Sequence, residues 1–156
     1  MTYTRNTWIA HIGPKARLVC KDTPFFSSVM IAQAILESGN GNSLLTRKAN
    51  NLFGIKAIGG WKGKTLDMKT GEVRGGRSVT EMWAFRVYDT IEDSMRDRNR
   101  FLIDNPRYRK AGVLDAKTPE EQCRALQRAG YATDPQYADK LISIINGSGR
   151  LKQFDN

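Results

Sequence analysis

The chain has 156 residues, 40% of them hydrophobic and 26% charged, and carries a formal net charge of +9. That length predicts one domain with a core of its own, and the composition excludes a disordered chain. A single histidine, His11, and two cysteines in no metal-ligand or redox spacing exclude the usual zinc constellations and histidine-based nucleophile machinery, so any acid-base chemistry rests on carboxylates.

In chain order, the opening stretch MTYTRNTWIAHIGPK lacks the charged-then-apolar plan of a secretory signal, and no apolar run reaches the roughly 20 residues that span a bilayer. The first element read as a helix starts near Ser27 or Ser28, each able to cap it, and closes at Gly39. Met30, Ala34 and Glu37 then stand at i, i+4 and i+7, which puts a carboxylate on the apolar, buried stripe. Burial and the negative end of the helix dipole both raise its pKa there. The alternative turns Glu37 outward at a fraying end or pairs it with a basic residue.

Asn42 to Gly60, with paired asparagines and three glycines, reads as loop. From Trp61 to Tyr88 the period changes to two, with Val79, Trp83, Phe85 and Val87 on one side and RGGR (Arg74–Arg77) as the turn of a β-hairpin lobe. A helix follows from Asp89 or Thr90, with Glu92 completing its capping signal and Ile91, Met95 and Leu102 as its stripe, until Asn105-Pro106 ends it. TPEEQCRALQRAG is marked by Thr118 as cap, Pro119 at the first position, Glu121 closing a capping box and Gly130 as the stop. DPQYADKLISIING repeats the device from Asp134 and Pro135, with Tyr137, Leu141 and Ile144 or Ile145 as its stripe. Residues 148–156 read as a loose tail. Cys20 and Cys123 read as two buried thiols rather than a disulfide. The result is a single α+β, mainly helical domain over residues 1–156, with a β-hairpin lobe between helical parts and a cleft between the lobes as its binding site. Its basicity predicts a polyanionic partner, and the chain has none of the nucleic-acid-binding signatures.

The run SVMIAQAILESGNGNS, followed in order by NNLFGIKA, a Gly-Gly-Trp-Lys-Gly segment, FRVYDTIEDS, NPRY and GYATDPQYADKLISII, resembles glycoside hydrolase family 73 over about residues 28–145. These are bacterial β-N-acetylglucosaminidases of peptidoglycan. The resemblance implies a lysozyme-like fold whose groove accepts a glycan strand, and cleavage of the β-1,4 bond between N-acetylglucosamine and N-acetylmuramic acid without metal or organic cofactor. It matches Glu37 to the general acid, a role served by a carboxyl kept protonated near neutral pH. It matches Glu72 on the hairpin to the second carboxylate, with Asp67 and Glu81 as rivals; each can equally be a solvated charge balanced by Lys69, Arg74 or Arg77. Attack by a water held ~6.5 to 9.5 Å across the cleft, by a carboxylate at ~5 to 5.5 Å, or by the substrate's own acetamido group all stay open.

Tyr131 matches a tyrosine beside the reacting sugar, or else is a core aromatic after a helix stop. Asn51 and Phe53 match the loop lining the groove, with an amide for an acetamido group and a ring for a sugar face, or else shape the turn. Trp61 joins them as a groove residue. In one departure, Asn40 stands where many relatives carry an aromatic. The implied partners are glycan strands of an anionic wall, bound by a monomer with neither nucleic acid nor membrane insertion. The implied place of action is the bacterial wall or periplasm, for a phage-encoded, delivered or exported protein. A reading from another class keeps the groove as a wall-binding module without turnover. The hairpin is expected to swing as a lid on a base anchored by Trp83 and Phe85.

Overall fold

The computed structural model describes residues 2–155, with Glu72 described by its backbone alone. The chain opens with α1 (Arg5–Cys20), capped by Thr4, which accepts the Thr7 amide. No helix was expected here: Pro14 lies inside it, and its apolar residues form no clean stripe, yet it buries Trp8, Ile12 and Ala16. Next comes α2 (Ser27–Ser38), which is buried continuously from Ser27 to Ile35. A helix that is apolar nearly all round belongs in the middle of a core. Around it pack α1, α6 (Pro119–Arg128) and α7 (Tyr137–Ile145).

Neither Ser27 nor Ser28 caps α2. The N-cap is Phe26, and the acceptor comes from the far end of the chain, where the Asp155 carboxylate takes the Ser28 amide at 2.7 Å and the Ser28 hydroxyl at 2.6 Å. A carboxylate at a helix N-terminus is favoured by the free amides and the dipole together. Residues 148–155 are therefore not a loose tail. Leu151–Phe154 forms a 3₁₀ turn with Leu151 fully buried, Phe154 packs against Gly13, and Lys152 pairs with Glu120 at 2.7 Å. At the other end of α2, Gly39 and Asn40 both take left-handed backbone (φ 57° each) and both donate to the Ile35 carbonyl. Asn40 is among the few residues besides glycine that tolerate this conformation, which accounts for its place after the helix. Gly41 (φ 81°) lies against the Trp8 indole, where a Cβ would clash.

The stretch read as loop contains α3 (Leu44–Ala49), capped by Ser43; its six residues are too few to carry a visible period. The hairpin forms as expected, β1 (Thr65–Arg74) pairing antiparallel with β2 (Arg77–Arg86) around Gly75 and Gly76, both with positive φ as a two-residue primed turn requires. A bridge between Lys56 and Phe85 ties the hairpin base to the preceding loop.

The helix α4 (Ile91–Asp104) starts at Thr90, which accepts the Asp93 amide, while Glu92 lies 3.9 Å from Lys15 instead of closing the cap. Pro106 opens α5 (Pro106–Lys110). In α6 Thr118 caps as read, and the Glu121 carboxylate accepts the Lys117 amide at 2.7 Å. The last helix starts after Gln136, later than the Asp134-Pro135 pattern indicates, and buries Tyr137, Leu141 and Ile145. Cys20 and Cys123 are free and buried, and burial pushes both thiols up, Cys123 to about 12. Among the described residues no helix is long and apolar enough to cross a membrane.

Candidate active site

A cleft of about 340 Å³ opens where the C-terminal turn of α2 meets the loop before the hairpin, with Glu37, Phe53, Lys56, Arg107, Tyr108 and Tyr131 on its walls. A larger hollow of about 490 Å³ lies near the opposite end of α2, between Arg17, Lys21, Phe25 and Lys117; of the three carboxylates among the described residues that line it, Asp155 is committed to Ser28, and Asp22 and Asp115 stand beside no tyrosine. The smaller cleft is the one that gathers chemistry.

Glu37 sits at the rim of the buried stripe rather than within it: Met30 and Ala34 are fully buried, whereas Glu37 is exposed to the cleft. Protein nonetheless closes around the other sides of its carboxyl, and that desolvation pushes its pKa up. A hydrogen bond pulls partly the other way, since the Tyr137 hydroxyl donates to Glu37 Oε1 at 3.2 Å. The same hydroxyl accepts from Gln33 Nε2 at 2.9 Å. Gln33 stands one turn before Glu37 on α2, so both reach one tyrosine from the same face. Behind it, Arg98 of α4 donates twice to Gln33 Oε1, at 3.0 and 2.8 Å, and once to Asn99 at 2.8 Å.

Tyr131 is brought to the same cleft, stacked on Tyr137 with ring centroids 5.7 Å apart and 18° between planes. Its hydroxyl has no hydrogen-bond partner among the described residues, and burial followed by the nearby Glu37 charge raises its pKa, so it remains a neutral O–H. Phe53, 3% exposed, lines the cleft wall. Asn51 does not reach the cleft. Its amide donates to the Ile55 and Arg86 carbonyls at 2.9 Å each and accepts the Ile55 amide at 3.1 Å, so it shapes the loop. Trp61 lies farther along, in an adjoining hollow that shares Ile58 and Phe101 with the Glu37 cleft. It packs on Arg86 (5.0 Å) and Tyr88 (5.6 Å).

The side chain of Glu72 lies outside the described residues; its backbone pairs opposite Val79. Strand alternation gives position 72 the same face as Thr70, Glu81 and Trp83, and Lys56, on the cleft wall, lies 3.8 Å from the Trp83 ring centroid. Glu81 is engaged by Arg74 and by the Trp83 indole N–H at 3.0 Å. Asp67 belongs to the opposite face, paired across from Ala84, and is exposed. The hairpin base is held by Phe85, as expected, and also by Arg86, which is 8% exposed. Arg86 pairs with Asp97 at 2.9 Å and donates to the Lys56 and Ile58 carbonyls at 3.0 and 2.8 Å.

Sequence reading passed over Gln33, Arg98, Tyr137 in its polar role, Lys56 and Arg86. One signal was present: Gln33 is the lone amide in the apolar run MIAQAIL, four residues before Glu37. Among the described residues no group of three or more His, Cys, Asp and Glu is placed to hold a metal ion.

The Glucosaminidase family, described as mannosyl-glycoprotein endo-beta-N-acetylglucosaminidase, matches residues 13–149. The exo-glucosaminidase LytG of Bacillus subtilis is 40% identical over 144 residues, covering 90% of this chain and 50% of LytG. The peptidoglycan hydrolase FlgJ of Pseudomonas aeruginosa is 40% identical over 148 residues, covering 92% of this chain and 37% of FlgJ. The chain thus spans half or less of the length of these curated relatives. The crystal structure of the catalytic domain of the autolysin Auto from Listeria monocytogenes matches with a TM-score of 0.83 at 37% identity, over 99% of this chain and 90% of that one. With the family matched across most of its length and the lysozyme-like architecture shared, the chain belongs to the glucosaminidases of glycoside hydrolase family 73.

Proposed function

We propose that this chain hydrolyses peptidoglycan at the β-1,4 bond between N-acetylglucosamine and N-acetylmuramic acid, with Glu37 as proton donor. The observation that carries the reading is a cleft carboxyl whose ionised form is disfavoured by burial, facing the same cleft as the Tyr131 phenol, which has no hydrogen-bond partner among the described residues. A glycosidic oxygen leaves only if it gains a proton as its bond breaks, and a carboxyl still protonated near neutral pH supplies it. The names of LytG and FlgJ support the substrate class. Continuation of the cleft past Ile58 and Phe101 towards Trp61 supports binding within a strand, as an endo-acting enzyme needs.

In this reading Glu37 protonates the leaving oxygen, and Tyr131 orients the acetamido group or stabilises the positive charge that develops at the anomeric carbon. Phe53 packs on a sugar face, and Trp61 extends the groove. Glu72 is the carboxylate that assists attack at the anomeric carbon once the hairpin closes, a choice supported by the strand face assigned to position 72 over that of Asp67. The wall or periplasm is the place of action, and the +9 charge favours attachment to an anionic wall.

Mass spectrometry of fragments released from purified peptidoglycan tests the reading. Products ending in reducing N-acetylglucosamine are expected, and products ending in reducing N-acetylmuramic acid would overturn the bond assignment. Glu37→Gln keeps the shape without the proton and should lower turnover by roughly 10²-fold or more with wall binding intact. Near-normal lysis by that variant would remove Glu37 from the role.

A further inference from the structure

We infer that Arg98, Gln33 and Tyr137 are positioning residues: their fixed chain of hydrogen bonds, ending on Glu37 Oε1, orients the cleft carboxyl and confines its proton to Oε2. The inference rests on the reading of Glu37 as proton donor.

The polarity of the chain follows from what each group can do. A guanidinium only donates, so the Gln33 oxygen, facing Arg98 Nε and Nη2 at 3.0 and 2.8 Å, must accept, and the amide cannot flip. Its nitrogen therefore faces Tyr137, whose oxygen accepts at 2.9 Å. A phenol has one proton, and the direction left for it is Glu37 Oε1, at 3.2 Å. The better acceptor of a protonated carboxyl is its carbonyl oxygen, so the phenol favours Oε1 as that oxygen. The acid's proton is left to Oε2.

Burial supports a functional role. Arg98 and Gln33 are fully buried and Tyr137 is 2% exposed, so no water competes for these bonds. Arg98 pairs with no carboxylate among the described residues; its partners are two side-chain amide oxygens and the Phe25 ring at 5.2 Å. A buried cation without an anion is costly, and replacing it with apolar packing would often stabilise the fold. Here it polarises the amide, which makes the phenol a better donor in turn. The other charged or titratable groups facing Glu37 are Lys56 on the hairpin side, Arg107 and Tyr108 of α5, and Tyr131 after α6. Arg107 donates to the Tyr108 hydroxyl at 2.9 Å, and Lys56 lies over Trp83.

The test is the pH profile of kcat/KM on a soluble glycan for the wild type, Tyr137→Phe, Gln33→Glu and the double variant. Activity of a general acid is lost as pH rises through its ionisation. Removing the donor that favours the ionised carboxyl should move that alkaline limb to higher pH by roughly one unit, the worth of one hydrogen bond to a charged acceptor. Gln33→Glu keeps an acceptor for Arg98 but now accepts from Tyr137, turning the phenol proton away from Glu37. Its own negative charge also disfavours ionised Glu37, so in a folded protein it should move the limb at least as far as Tyr137→Phe does, and the double variant should move no further than Gln33→Glu alone.

A wild-type limb in Tyr137→Phe, with kcat and thermal stability falling together, would mean that the three residues only pack, and would overturn the inference. The two readings fail differently. If Glu37→Gln leaves lysis intact, the proton-donor reading falls and the relay falls with it. If Glu37→Gln abolishes turnover and the limb stays put in Tyr137→Phe, only the relay falls.

Discussion

Glu37 is held where its folded environment works against its charge, and that has a stability signature separate from catalysis. Its folded pKa lies above its unfolded one, so between the two the folded state binds more protons and stability falls as pH rises. Glu37→Gln removes that loss. The variant should melt above the wild type at neutral pH, with a difference that grows upward from about pH 4.5 and vanishes below it; paired melting curves across pH check this. Asn51 should behave in the opposite way, because its three hydrogen bonds hold the loop: Asn51→Ala should lower stability by about 2 kcal/mol, read by denaturant titration, with KM little changed. The displaced acidity of Glu37 was legible because helix period and apolar neighbours reside in the local sequence. The hydrogen-bond partners of Asn51, Gln33 and Arg98 were not, because they lie 35 or 65 positions away.

At the scale of elements, the hairpin is a lobe fastened at one end. Arg86 and Asp97 pair with side chains only 10% and 12% exposed, and removing one member of such a pair typically costs about 3–5 kcal/mol. Arg86→Met should therefore leave the helical body folded while raising hydrogen exchange across residues 65–86. Within the lobe, Glu72→Gln should cost turnover strongly, while Asp67→Asn on the opposite face and Glu81→Gln, already held by Arg74, should cost far less. A crippling Asp67→Asn beside a harmless Glu72→Gln would give Asp67 the role. The hairpin was readable because period two and RGGR state it twice, and α6 because Thr118, Pro119 and Gly130 mark both ends. By contrast, α1 was hidden by Pro14 and α3 by its brevity. The cap of α2 was misread because serine is a good cap residue in isolation and nothing local announces an acceptor from the other terminus.

For the molecule as a whole, charge acts before any contact is made. If the +9 excess serves attachment to the wall, raising salt from ~0.05 M to a few tenths molar should weaken binding to intact wall far more than it slows hydrolysis of a short soluble glycan, because screening acts on long-range attraction. Equal sensitivity in co-sedimentation and turnover assays would count against it. The link between Ser28 and Asp155 has a consequence in time. It joins positions 127 apart, and contacts that close so long a loop form late. A chain made from its N-terminus can coil the helix bearing Glu37 early in translation, but the acceptor for that helix's first turn does not exist until Asp155 has been added and has cleared the ribosome. The order of synthesis therefore defers completion of the cleft-bearing helix until translation has passed Asp155.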